Sequence, residues 1–438
     1  MRHLKTAATL LAILTVTAGL TGCSSKRRSR GGAGSTAAPA TVDTSTSTTP
    51  PATQTPTTPA GPHPGSGVFA DASSRLPDSS ARDWSAAAGD FDGDGRIDLA
   101  IAVYDGTSRV LLNRGATFQE KAGALPALRM AAADIHAVDV DGDGDLDLVV
   151  ACLFQPVRVF LNDGAANFRL GGEYVTNNGC YTYKVAVGDV TGDGFPDIFM
   201  ANSGQGTPTR GQDILLVNDG RGGFTQAPAG WVPARADDTI GVALLDVNGD
   251  GRLDVFKATF GTGHRLLVGD GTGRFTDQTD AYLPAGLRTH ATAVAVGDFD
   301  GDGQLDIFVA NQGPYTGNPP AGERNTLLLR SGARFVDASD RLPAHADSTF
   351  NVRAVDVDGD GALDLLCSTL RGPQRLYLNR GGRFVDATTN LPAVNQGSTS
   401  ESLGLAVADF DGDLAPDVLF VRRGEKPWLF LNLPNPAP

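Results

Sequence analysis

The sequence predicts an all-β fold, a seven-bladed β-propeller whose last blade is completed by a strand from the N-terminal side of the repeats. Three observations predict it. An aspartate-rich motif between two apolar strands recurs seven times at intervals of 49 to 58 residues, the length of one four-stranded blade. The chain has 55 Gly, as short strands joined by tight turns require, and no helical stripe stands out. The last repeat stops one strand short, and a spare strand precedes the first. At 438 residues, length alone would suggest about three domains, but a repeat sets that estimate aside.

The chain begins with what reads as an address. Arg2 and Lys5 precede an apolar run from Ala7 to Leu20, shorter than the roughly 20 residues a bilayer span needs, so residues 1–22 are expected to be a signal peptide. The run ends in Leu20-Thr21-Gly22-Cys23, which is similar to the lipobox of bacterial lipoproteins. That resemblance implies that Cys23 is lipidated and becomes the mature N-terminus, and that Ser24 permits sorting to an outer membrane. The basic cluster Lys26-Arg27-Arg28-Ser29-Arg30 follows, close enough to a lipid anchor to meet anionic headgroups or simply water. The Ser, Thr, Ala, Gly and Pro tract that completes residues 23–66 cannot bury a core; it reads as a tether spanning on the order of 35 to 40 Å. Residues 67–438 are expected to form the propeller.

Charge narrows the partners. The formal net charge is −14, and residues 1–65 hold six Lys or Arg against Asp43 alone, so the remainder carries −19. A surface that acidic argues against nucleic acid, whose phosphates need basic neutralisation, and for bound cations.

The motif D-x-[DTN]-G-D-x-x-x-D starts at Asp90, Asp139, Asp189, Asp246, Asp298, Asp356 and Asp409. A first strand precedes it and a second follows. A third strand comes next, such as Leu111-Leu112-Asn113 or Phe160-Leu161-Asn162, and then a glycine turn leads to Phe118, Phe168, Phe224, Phe275, Phe335 or Phe384, which opens the fourth. In the first strand, positions two and four before the leading Asp are apolar in every copy, as in Val187 and Val185. Position three before it is Ala in five copies; the exceptions, His136 and Arg353, are either satisfied structural groups or markers of a central channel. Such sheets cannot bury their faces alone and must stack around an axis.

The loop carries the clearest chemistry. Calcium takes six to eight oxygens, and carboxylates at alternating positions of a turn present them to one point. The expected ligands are Asp90, Asp92, Asp94, Asp98 and the Arg96 carbonyl in the first copy, then Asp139, Asp141, Asp143, Asp147 and the Asp145 carbonyl in the second. The third has Asp189, Thr191, Asp193, Asp197 and the Phe195 carbonyl; the fourth has Asp246, Asn248, Asp250, Asp254 and the Arg252 carbonyl. The fifth has Asp298, Asp300, Asp302, Asp306 and the Gln304 carbonyl, and the sixth Asp356, Asp358, Asp360, Asp364 and the Ala362 carbonyl. The seventh has Asp409, Asp411, Asp413, Asp417 and the Ala415 carbonyl. An EF-hand would need Glu at the twelfth position, where Ile101, Val150, Met200, Lys257, Val309, Cys367 and Phe420 stand instead, all on the second strand. The 26 side-chain carboxylates at these positions would repel one another without a cation.

Asp90-Phe91-Asp92-Gly93-Asp94-Gly95, its six relatives and the following Leu-x-Asn, Gly and Phe-x-Asp-x-Ser/Thr segments resemble FG-GAP/VCBS repeats, as in the integrin alpha-subunit propeller and many bacterial surface proteins. The resemblance spans nearly all of residues 67–438. It implies about seven calcium ions, one per blade, on one face, with partners on the opposite face. Thr191, Asn248 and Leu414, the last in place of glycine, depart from the pattern and imply weaker sites, those at Asp189 and Asp409 among the weakest.

No catalytic constellation emerges: His136, His264, His290 and His345 belong to no H-E-x-x-H or triad-like motif. Cys152 and Cys180 either pair in an exported protein or, like Cys367, are small buried hydrophobes. The loops after second strands and before first strands converge on the face opposite calcium, the longest being 311–325, 202–213 and 171–183. Their candidate contact residues are Trp84, Tyr181, Tyr183, Trp231, His290, Tyr315 and Phe350, which serve either as ligand contacts or as packing between blades. The expected function is a calcium-binding, lipid-anchored, monomeric surface protein that binds protein or carbohydrate without catalysis. The alternative is a propeller-based polysaccharide hydrolase or lyase.

Overall fold

The computed structural model describes residues 65–175, 181–204, 211–316, 320–396 and 400–435. All lie in the compact unit that runs from Ala52 to Pro438. The signal peptide, Cys23, the tether up to residue 64 and Cys180 fall outside the described residues.

The described chain is built from strands, with one turn of α-helix at Thr279–Tyr282. Each aspartate loop sits between a first and a second strand, as the motif requires. The first strands are Asp83–Gly89, Met130–Val138, Tyr181–Gly188, Thr239–Leu245, Ala291–Gly297, Thr349–Val355 and Ser402–Ala408. The second strands are Asp98–Gly106, Asp147–Cys152, Asp197–Ser203, Asp254–Thr259, Asp306–Asn311, Asp364–Thr369 and Asp417–Arg422. Third strands run over Arg109–Asn113, Val157–Leu161, Ile214–Asn218, Arg265–Gly269, Thr326–Ser331, Arg375–Asn379 and Trp428–Pro434. Fourth strands follow at Phe118–Glu120, Arg169–Tyr174, Phe224–Gln226, Phe275–Asp277, Arg334–Asp337 and Phe384–Asp386. Residues 171–174, expected in a loop, therefore belong to a strand.

Within each unit the strands pair antiparallel in chain order. Five sheets have four strands, and a sixth has eight, because the first two units join. The join was not expected from the repeat. It arises because Asp98–Gly106 and Met130–Val138 are each nine residues long, so their ends overlap and Tyr104 and Gly106 pair with Ala131 and Met130.

The last unit lacks a fourth strand of its own. The segment Gly65–Asp71 supplies one, antiparallel to Trp428–Pro434, with Phe69 opposite Asn432, Ala70 opposite Leu431 and Asp71 opposite Phe430. The match of this segment to the other fourth strands predicts that pairing.

Second strands are covered on both edges and both faces, so every residue of Asp147–Cys152 and Asp254–Thr259 is buried. The core is divided into layers between successive sheets. Phe91 and Ala100 of the first unit pack with Leu148 and Phe168 of the second. The pattern continues through the chain until Ala406, Phe410 and Leu419 of the last unit pack against Ala86, Leu99 and Phe118 of the first. First strands also lie beside one another, with Ser402–Ala408 next to Asp83–Gly89.

Candidate metal centre

Each loop is wound around its first carboxylate. Asp90 accepts the backbone N–H groups of Gly93 at 2.8 Å, Asp94 at 3.1 Å and Gly95 at 2.8 Å. Asp139, Asp189, Asp246, Asp298 and Asp356 accept the same glycine pair. The second glycine needs a left-handed backbone, φ 82° at Gly95. In the last loop Leu414 takes its place at φ 73° and still donates to Asp409. The loop geometry thus survives the departure from glycine.

The ninth carboxylate is buried and ties the loop to the third strand. Asp98 accepts from Phe91 N–H at 3.1 Å and from Asn113 N–H at 2.7 Å, and Asp147, Asp197, Asp254, Asp306, Asp364 and Asp417 repeat the arrangement. Burial raises all seven. Asp98, Asp197, Asp254 and Asp306 are pushed up to about 6, Asp147 and Asp364 to about 7 and Asp417 to about 8. Without a cation they therefore hold their proton to higher pH than an ordinary aspartate does.

Five loops bring three carboxylates within 4.8 Å of one another. At Asp90, Asp298 and Asp356 these are positions one, three and five; at Asp139 and Asp409 they are positions one, three and nine. The loops at Asp189 and Asp246, which carry Thr191 and Asn248, do not form such a group. The fifth carboxylate also receives the N–H of the seventh residue in every copy, from Arg96, Asp145, Phe195, Arg252, Gln304, Ala362 and Ala415, which folds that peptide over the loop.

One feature fits a cation directly. Asp92 Oδ1, Asp141 Oδ1, Asp300 Oδ1 and Asp358 Oδ1 are buried and have no hydrogen-bond partner. A buried carboxylate oxygen with no donor is costly. These four occupy the same third position of four of the five converging loops. Arginines satisfy the other oxygen in two of them: Arg114 reaches Asp92 at 2.9 Å, and Arg380 reaches Asp358 at 2.5 Å.

The third-strand Asn, legible in the sequence only as part of the Leu-x-Asn pattern, acts across sheets. Asn113 Nδ2 donates to the Phe410 carbonyl at 2.9 Å, Asn162 to Phe91, Asn218 to Val140, Asn379 to Phe299 and Asn432 to Val357. Each acceptor is the second residue of the preceding unit's loop, and for Asn113 that unit is the last one. In the fourth unit Gly269 replaces Asn, and the Gly273 N–H donates to Val190 instead. Replacing Asn113 by Ala orphans the Ile97 and Phe410 carbonyls. We expect a loss of about 2 kcal/mol in urea denaturation, and a loss under a few tenths would rule out the latch.

Six of the seven aromatic candidates lie at the ends of the sheets away from these loops. Trp84 packs with Tyr104 at 5.1 Å and Phe350 at 6.2 Å; Tyr181 stacks on Tyr183 at 6.1 Å; Phe260 lies between His290 and Tyr315. Tyr183 and Phe350 are buried. Trp231 does not join them. A Cβ on Gly273 would lie 2.7 Å from its ring and 3.1 Å from the Thr191 methyl, so the ring packs on the aspartate-loop side. The segment after the fourth strand turns back along the sheet instead of crossing directly to the next first strand, and Phe275 N–H donates to the Trp231 carbonyl.

His136 and Arg353 both have partners. His136 Nε2 is 2.9 Å from Asp134, and Arg353 donates to Asn351 Oδ1 and the Val352 carbonyl. Burial alone would raise the Asp134 carboxyl, but Lys184 and His136 outweigh it and hold it well below the usual range. Cys152 and Cys367 are free, buried thiols.

Residues 196 in length match "Cartilage acidic protein 1" of Homo sapiens at 32% identity, covering 42% of this chain and 27% of that protein. The protein of the same name from Xenopus tropicalis is 32% identical over 200 residues, covering 42% and 28%. The chain thus spans little more than a quarter of the length of these curated relatives. Among solved structures, BBS1N crystallised in complex with ARL6DN and soaked with mercury superposes with a TM-score of 0.53 at 12% identity, over 85% of this chain and 99% of that one; this likeness shows the fold alone. The FG-GAP-like repeat profile matches residues 90–150, 139–200, 192–257, 258–309 and 356–420, more than half of the chain, and these stretches contain all seven loops built around the first carboxylate. The chain belongs to the FG-GAP-like repeat family.

Proposed function

We propose that this chain is a calcium-loaded, seven-bladed β-propeller, exported and held to the cell envelope through Cys23, that binds a protein or carbohydrate ligand and performs no catalysis. The observation that carries the metal reading is the set of unpartnered, buried oxygens on Asp92, Asp141, Asp300 and Asp358. A hard dication satisfies such oxygens where no donor reaches. In each loop the side chains at positions one, three, five and nine and the carbonyl at position seven would hold it. The ion would neutralise charge and rigidify the loop. The sevenfold reading is supported by the seven loops in phase and by the packing of the last unit on the first.

Bound to seven loops, calcium would add fourteen positive charges against the −19 of the repeat region. The ligand face is the one away from calcium, where Trp84, Tyr181, Tyr183, His290, Tyr315 and Phe350 gather. Calorimetric titration of chelator-stripped chain should find close to seven calcium ions, with the loops at Asp189 and Asp246 weaker than the five that bring three carboxylates together. Fewer than three sites would sink the metal reading. A glycan and protein array probed with and without chelator then tests the binding role, and turnover of a polysaccharide would overturn the non-catalytic reading.

A further inference from the structure

We propose that the cleft where the sixth, last and first sheets meet, at the end away from the aspartate loops, is a binding site for an acidic saccharide, gripped by a carboxylate or sulfate group. The inference rests on the binding role proposed above and names the ligand chemistry of that face.

The cleft measures about 850 Å³ and is lined by Arg82, Arg371, Arg423, Ser400, Glu401 and Glu425, together with Gly424. Three guanidinium groups meet there in a repeat region whose net charge is strongly negative. Glu401 bridges two of them, lying 3.0 Å from Arg371 and 3.0 Å from Arg423, while Glu425 pairs with Arg422. Arg82 has no carboxylate partner among the described residues. Its guanidinium lies 4.5 Å above the Tyr104 ring, and its backbone pairs with Arg423, whose guanidinium lies 5.8 Å from the Trp84 ring. Burial and the neighbouring Arg423 both act against its charge. An arginine held next to another arginine, with Asp105 and Glu401 close enough to offset its charge in part but no carboxylate bonded to it among the described residues, fits an anion supplied from outside.

Backbone conformation points the same way. Isolated bridges join Leu153 to Tyr181, Phe260 to His290, Arg423 to Arg82 and Leu370 to Glu401, and the next residue then turns with positive φ. That residue is Gly261 or Gly424 in two cases, Phe154 at φ 59° in a third, and Arg371, at φ 54°, in the cleft. A side chain in this region carries a cost that glycine avoids. In the cleft the residue that bears this cost is an arginine, and it adds its guanidinium to the other two.

A saccharide is favoured over a protein segment because every lining residue except Gly424 is charged or polar. Trp84 and Tyr104, the aromatic groups beneath, are already covered by Arg423 and Arg82, so no apolar anchor is open to a protein hot spot.

The test uses the full chain in calcium, immobilised and probed with a uronate oligosaccharide, a sulfated galactan and an uncharged galactan. Binding to one or both acidic probes, weakening as salt rises, with none to the uncharged one, is expected; the two acidic arms tell carboxylate from sulfate. Arg82→Gln should weaken that binding at least tenfold. Arg371→Gly should weaken it too, while leaving the melting temperature unchanged or slightly higher, which a merely structural arginine would not do. Equal binding by wild type and both variants overturns the cleft and points to another basic segment such as residues 26–30. Binding of uncharged saccharides or proteins alone also overturns it, but leaves the binding role standing. Failure to bind any ligand in this test or on the array overturns both.

Discussion

Stripping calcium from the full chain is expected to lower its melting temperature by at least about 10 °C, the largest effect we foresee. A ligand held at a hundred times its dissociation constant contributes about 2.7 kcal/mol, and five or more loops share the effect. At about 2 °C per kcal/mol for a chain this long, even partial occupancy clears that threshold. The effect depends on pH with a definite sign. The ninth carboxylates are raised by burial, so without metal their contribution to stability is complete below about pH 4 and is lost as pH climbs through 6 to 8. Calcium needs the ionised form and displaces that proton. The gap between calcium-loaded and stripped melting curves should therefore widen from pH 5.5 to pH 8, with protons released on binding. Scanning calorimetry at both values decides it: superimposable melts with and without chelator at pH 8 would refute calcium as a structural element.

Deleting residues 67–75 is expected to have the second largest effect, a drop in melting temperature of several degrees or more with aggregation. Phe69 is 5% exposed and packs with Trp428 and Phe430. The segment also contributes the Gly67 N–H bond to Asn432 Oδ1 and the Ala72 N–H bond to the Leu429 carbonyl. Without it, Trp428–Pro434 becomes an exposed edge with a row of free donors and acceptors, a template for pairing with another chain. Phe69→Ala isolates the packing part and should cost about 3 to 5 kcal/mol, as removal of a buried phenylalanine does elsewhere. Light scattering and thermal melts read both variants. A deletion that melts and scatters like the intact chain would show that the terminal pairing does not hold the fold together.

The amino-acid sequence by itself determined the local grammar. Strand, aspartate loop and strand are neighbours in the chain, and their order follows from alternation and from the need for oxygens at every second position of a turn. It also determined the pairing of Gly65–Asp71 with the last strand, because Val68-Phe69-Ala70-Asp71 carries the same pattern as Phe335-Val336-Asp337 and a missing strand can be counted. The tertiary structure alone decided what lies between repeats. The Asn113 latch joins residues 297 apart, and no local pattern marks its acceptor. Trp231 went to the aspartate-loop side because its segment doubles back, which neither spacing nor composition records. The first two units fused because two strands overran their turns by a few residues. The cleft of Arg82, Arg371 and Arg423 draws on three separate turns, and only the packing of the last sheet between the sixth and the first brings them together. Repeats write the contacts within a unit into the sequence seven times, whereas a contact between units is written once, in residues far apart, and only folding reads it.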